Sequence, residues 1–159
     1  MLSGITAGAS FVPAAAAYSG GDIIGAATEF SFVDNRGVII PQGALIRIIS
    51  AVVKIDQTAI ISGETSYSLA LYSVTPPSAQ ADNAAWTLAS ADLPSYRGSL
   101  SLGTPVDLGA ACYVKTQFSD QQDFNLAAGK SSLFGELITA GGFTATAVAR
   151  QILLYGVVI

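Results

Sequence analysis

Apolar and polar residues alternate along most of this chain with the two-residue period of half-buried strands, and helical spacing is weak everywhere. The longest run, residues 44–56 (ALIRIISAVVKID), places Leu45, Ile49, Val53 and Ile55 in one alternate set and Ile46, Ile48 and Val52 in the other. Apolar residues in both sets predict a strand covered on both faces. Residues 66–74 set Tyr67, Leu69 and Leu71 against Ser68, Ala70 and Tyr72, which predicts a half-buried strand. Six further strands are expected at 22–32, 86–91, 97–102, 111–118, 131–139 and 149–159. Turn formers separate them: Asp34-Asn35-Arg36-Gly37, Pro76-Pro77 and Gly141-Gly142, the last tolerant of positive φ. About eight strands at this spacing, with no long helix, predict an all-β fold, a two-sheet antiparallel sandwich of the jelly-roll kind.

The two ends depart from that pattern. Residues 1–21 are uncharged, small and punctuated by glycine, too poor in large side chains to offset their own ordering entropy. They read as an extended N-terminal arm, so the expected division is an arm at 1–20 and a sandwich domain at 21–159. The final strand, from Gln151 to Ile159, is apolar to its last residue and carries no charge to protect an open edge. It must lie inside a sheet or be covered by a neighbour.

Composition narrows the function. Of 159 residues, 51% are hydrophobic and only 11% are Asp, Glu, Lys or Arg, against about 25% charged in an ordinary soluble domain. No apolar stretch reaches the roughly 20 residues of a spanning helix. The first 21 residues lack the basic start of a signal peptide, although Ala14-Ala15-Ala16 superficially mimics a cleavage site. The net charge is −4 and the seven basic residues are scattered singly, which argues against direct nucleic-acid binding. Much of the surface is therefore expected to be covered by partners.

Catalytic chemistry finds few candidates. The chain has no histidine, so Ser-His-Asp and Cys-His arrangements are absent. With Cys112 as the single cysteine, an ordinary zinc site is excluded and a small buried apolar role is expected for it. The carboxylates stand mostly at turns. Asp120-Gln121-Gln122-Asp123 lacks the ligand spacing of a calcium loop and reads as a solvated turn. No helix is expected behind Ser19-Gly20-Gly21-Asp22 or Gly141-Gly142, so neither is a phosphate loop. No cofactor and no metal are expected. Trp86, near Tyr96 or Tyr113, is either an anchor in the core or an interface, or a platform for a sugar ring.

Several stretches in order resemble the jelly-roll cement, or head decoration, proteins of tailed bacteriophages. These are Tyr18-Ser19-Gly20-Gly21-Asp22-Ile23-Ile24-Gly25, the long strand from Leu45 to Ile55, Tyr67-Ser68-Leu69-Ala70-Leu71-Tyr72, Asp82-Asn83-Ala84-Ala85-Trp86-Thr87-Leu88 with Ala91-Asp92, Ser131-Ser132-Leu133-Phe134-Gly135-Glu136-Leu137, and the closing apolar strand. The resemblance runs from about Tyr18 to Ile159. It implies a structural virion protein without catalytic residues, made in the host cytoplasm and placed on the outer surface of the capsid. There it would bridge neighbouring copies of the major capsid protein and associate with further copies of itself as a dimer or trimer. Phe11, Val12 and Pro13 of the arm, with Tyr18 and Trp86, are the candidate interface residues. Two other classes stay open: a carbohydrate-binding or tail-fibre-type adhesion module, which needs an exposed aromatic platform near Trp86, and a glycosidase, which needs two carboxylates in one cleft with one pKa raised.

Overall fold

The computed structural model describes residues 4–78 and 80–159. Among these there is no helix, and hence none long and apolar enough to cross a membrane. Twelve strands follow in chain order: β1 (Gly4–Phe11), β2 (Ala17–Tyr18), β3 (Ile23–Ser31), β4 (Val33–Asp34), β5 (Leu45–Ile55), β6 (Tyr67–Tyr72), β7 (Tyr96–Gly103), β8 (Val106–Asp107), β9 (Cys112–Asn125), β10 (Ser132–Thr139), β11 (Phe143–Thr144) and β12 (Arg150–Val158). Every pairing between them is antiparallel.

A six-stranded sheet, β4-β1-β12-β5-β9-β8, faces a four-stranded sheet, β3-β10-β6-β7, and a small pair, β11-β2, sits beside them. The inner faces share one core, built on one side from Ile5, Phe11, Ile152, Leu154, Val53 and Ile55 and on the other from Phe30, Leu69, Leu71, Leu100, Leu133 and Leu137. The all-β sandwich expected from the alternation is the architecture observed.

The N-terminal segment is a core strand rather than an arm. Gly4–Phe11 pairs along its whole length with β12, from Gly4 opposite Val157 to Phe11 opposite Arg150. Ile5, Ala7 and Phe11 point inward and are buried, and the Phe11 ring lies 6.0 Å from that of Phe30 on the opposite sheet. The boundary expected at residue 20 thus separates strands that share one core. Residues 1–3 of the expected arm lie outside the described residues. The apolar C-terminal strand is internal, flanked by β1 and β5, as its uncharged edges require.

Two burial expectations exchange places. In β5 the apolar positions in both sets reflect a β-bulge, and the outer side is covered only at Ser50 and Val52, which are 5% and 3% exposed. Ile46 and Ile48 face the core, the register slips at Ile49, and from there Ala51, Val53 and Ile55 face it instead. Leu45 and Ile49 are left on the outside, 38% and 45% exposed. Strand β6, expected to be half-buried, has Ala70 and Tyr72 buried on its outer side as well. Their cover is the connection at residues 73–95.

That connection contains the segment 86–91 expected to be a strand. It forms no strand, and a single bridge joins Ala85 to Asp22. The Trp86 amide donates to the Gly21 carbonyl at 2.9 Å, but no ladder follows, and Trp86 and Leu88 pack their side chains onto Tyr72 and Ile138. Strand β9 runs beyond the expected end at Phe118 to Asn125, and it includes Asp120 to Asp123 in place of the expected turn. At Gly141 the requirement is closeness and not positive φ, since a Cβ there would meet the Gly63 carbonyl and the Thr65 hydroxyl.

Candidate functional site

The two outer faces of the sandwich differ in cover. The four-stranded sheet carries the 73–95 connection, held by the side chains of Asp82 and Trp86 and by backbone bonds of residues 83–86 to Gly21 and Ile23, and closed at its base by Ser73 and Ser95. Asp82 accepts hydrogen bonds from the Tyr18 hydroxyl at 2.7 Å and the Gly25 amide at 2.7 Å. The indole of Trp86 donates to Glu136 Oε2 at 2.9 Å, and the Ser73 amide donates to the Ser95 carbonyl at 2.8 Å. Burial, reinforced by the bond to Asp82, pushes the Tyr18 phenol up to about 12. It stays a donor throughout the neutral range.

Among the described residues, the outer face of the six-stranded sheet has no such layer. Since Ile152 and Leu154 of β12 point into the core, alternation sends Gln151, Leu153, Tyr155 and Val157 outward. Their β1 partners are Ser10, Gly8, Thr6 and Gly4, and their β5 partners are Lys54, Val52, Ser50 and Arg47. The β12 side chains therefore form a ridge beside a strand that offers only hydrogens and hydroxyls. Leu153 leans into the space at Gly8, where a Cβ would lie 2.9 Å from its Cδ2. With the exposed Leu45, Ile49 and Tyr155, this makes an apolar band at the centre of an open sheet face.

Charge stands at both ends of that band. Arg47 grips Asp123 through two parallel bonds, Nε to Oδ1 at 2.6 Å and Nη2 to Oδ2 at 2.8 Å, so the pair neutralises itself. The guanidinium holds the Asp123 carboxyl below its usual range. Lys54 and Lys115 stand toward the other end, across β5 and β9. Near them a depression of about 620 Å³ is lined by Lys54, Leu108, Cys112, Tyr113, Ala149 and Gln151. Cys112 itself is buried, its thiol donates to the Gln57 carbonyl at 3.4 Å, and burial pushes its pKa up. A thiol so placed is a packing element and not a nucleophile.

The structure disperses the expected interface residues. Phe11, Pro13 and Tyr18 are buried within the chain, and only Val12 is exposed, at 55%. Trp86 is half-buried, its ring packed against Tyr72 and Ile138 and 6.1 Å from that of Tyr96. Leu45, Ile49, Leu153, Tyr155 and Val157, not singled out from the sequence, make up the open face. Their signal was the outward register of the last strand, which is readable only once β1 is known to pair with it.

Two buried acid clusters complete the inventory. Arg150 and Glu64, both fully buried, are ion-paired, with Tyr67 bonded to each and Gln57 to Glu64. Glu136 is buried against Tyr72, and Asp92 helps push its pKa up after burial itself. Neither Glu136 nor Asp92 lines any of the three depressions described. No protein-family model and no curated protein matches the chain.

Proposed function

We propose that this chain is a structural assembly protein, a capsid cement or decoration protein that binds the outer surface of a phage head and bridges subunits of the major capsid protein. The observation that carries the reading is the asymmetry of the two outer faces. One is roofed by the chain's own connection, and the other leaves an uncharged apolar band, with Ile49 and Tyr155 at its centre, open for a partner. Apolar patches of this kind mark interaction surfaces.

The fold is proposed to be a jelly roll. Omitting the four two-residue strands and numbering the other eight in chain order, the sheets read 1-8-3-6 and 2-7-4-5. That is the order in which a doubled Greek key wraps two sheets. It supports kinship with capsid-associated jelly rolls through fold analogy alone. The residue stretches that resemble head decoration proteins in their order and spacing add the choice of partner.

On this reading the protein acts by mass action. It binds the assembled shell and not free subunits, and each bound copy stabilises the shell by about 2.7 kcal/mol at one hundred times Kd. A copy touching two shell subunits gains effective concentration for its second contact. Further copies of the chain, as a dimer or trimer, are proposed partners too. The deciding measurement is the melting temperature of particles with and without the protein, at low and high salt. Stabilisation that persists in high salt is expected, and equal melting temperatures would remove the cement role. Tyr155→Asp, which keeps every core contact, should fold normally and fail to stabilise the particles.

A further inference from the structure

Glu136 stands on the outer side of β10, with 1% of its surface exposed, under the 73–95 connection. Its Oε2 accepts from the Trp86 indole at 2.9 Å and from the Tyr72 hydroxyl at 3.1 Å, while its buried Oε1 has no partner. An ionised carboxylate has two oxygens to satisfy, and leaving one orphaned in the interior is costly. A proton on Oε1 removes the charge and leaves Oε2 as the acceptor for both donors; the hydroxyl is still unpartnered, but an unpaired neutral group costs less to bury than an unpaired charge, so the neutral acid is the form this geometry favours.

The surroundings supply no counter-charge. From β6 the carboxyl is faced by the Tyr72 phenol and from β7 by Tyr96, whose ring is 5.5 Å from that of Tyr72. Opposite it on β3 lie residues 25–27 at a register shift, none titratable. The connection adds Trp86 and the carboxyl of Asp92, itself 1% exposed and accepting the Ser78 amide at 3.0 Å. Among the described residues, no cation acts on Glu136.

We propose that Glu136 is a proton-controlled latch: neutral, it seats the Trp86 ring on the outer face of the four-stranded sheet, and its ionisation unseats that ring, loosens the connection around it and uncovers Tyr72, Tyr96, Phe134 and Ile138. The bonds of residues 82–86 to Tyr18, Gly21, Ile23 and Gly25 keep the connection tethered. Burial is the largest influence raising the Glu136 pKa, Asp92 adds to it, and the bonds from Tyr72 and Trp86 oppose it. The folded pKa therefore lies above the unfolded one. The closed state is fully stabilised below the unfolded value and loses that stabilisation as pH rises through the folded value.

Trp86 is the only tryptophan, so it reports on its own contact. In the full chain, its fluorescence should shift to the red as pH rises, with a midpoint above the ordinary 4.5 of a glutamate. Protease cleavage within residues 73–95 should rise in parallel. The Trp86 indole N–H resonance should titrate at the same midpoint in the unmodified protein, which tests the latch without a variant. Glu136→Gln, which cannot ionise, should give a flat fluorescence profile, and Asp92→Asn should lower the midpoint while keeping the transition. An indole resonance that does not move, a transition surviving in Glu136→Gln, or one lost in Asp92→Asn would each overturn the proposal.

Discussion

Arg150 Nη2 donates to Glu64 Oε1 across 2.9 Å, and neither side chain has any exposed surface. The guanidinium also donates to the Tyr67 hydroxyl at 3.2 Å and the Val148 carbonyl at 2.6 Å, and its Cζ lies 5.4 Å from the centre of the Phe143 ring. One side chain thereby ties together β12, β6, β11 and the loops that precede β6 and β12. Removing one member of such a pair leaves the other charge buried and alone. Arg150→Met should cost about 3–5 kcal/mol in denaturant unfolding. The double variant Arg150→Met, Glu64→Leu should recover part of that loss, because no orphaned charge remains; an equal or larger loss would place the stability in the ion pair itself.

The N-terminal strand yields a second prediction. Phe11 is buried against Phe30, and β1 covers the long apolar edge of β12. Phe11→Ala should therefore destabilise the domain by about 3–5 kcal/mol in chemical denaturation. Deleting residues 4–11 should produce aggregation and not a soluble folded core, since it strips β12 of its partner and opens an uncharged edge. A soluble deletion variant with an unchanged melting temperature would show β1 to be dispensable.

How much of this was legible in the sequence follows from the same strands. Period-two alternation located β3, β5, β6, β7, β10 and β12 to within about two residues. It missed β1 because that strand writes its alternation in Gly, Thr and Ser against Ile, Ala and Phe, with little hydrophobic contrast. It misjudged β5 and β6 because a one-residue bulge and a remote covering connection both change burial without changing local pattern. Trp86 carried strand-like neighbours but makes only one backbone bond, to Gly21, beside an isolated bridge, and only the fold shows that its apolar ring serves as a roof tie. The open face could not be read locally, since it depends on which strand pairs with β12.

Gly156 supplies a third prediction. It lies at the register shift between β12 and β5, where Tyr155 pairs with Ser50 and Gly156 with Ile48. A Cβ there would run into the backbone carbonyl of Arg47, which cannot swing aside as a side chain could. Gly156→Ala should push β12 from β5 and cost on the order of 1–3 kcal/mol. Loss of amide-exchange protection should concentrate at Arg47 and Ile48, and an unchanged melting temperature would mean that the bulge absorbs the extra carbon.

The Arg47–Asp123 pair closes the series with a pH dependence opposite in sign to that of Glu136. Its side-chain bonds lower the Asp123 pKa, so the folded value lies below the unfolded one. Its stabilisation is present above the unfolded pKa and lost as pH falls through the folded value. The pair is only partly shielded, with side-chain exposures of 33% and 32%, so the effect on global stability is small. Its consequence is local, on the open face. When Asp123 takes up a proton, Arg47 becomes an uncompensated charge beside Leu45, Ile49 and Val157. Partner binding through that band should weaken in acid, while Asp123→Asn should show the weakened binding at all pH values. Carboxyl-carbon resonance titration of Asp123, run beside binding to particles at each pH, checks both halves. A binding loss whose midpoint differs from the Asp123 titration would separate the ion pair from the interface.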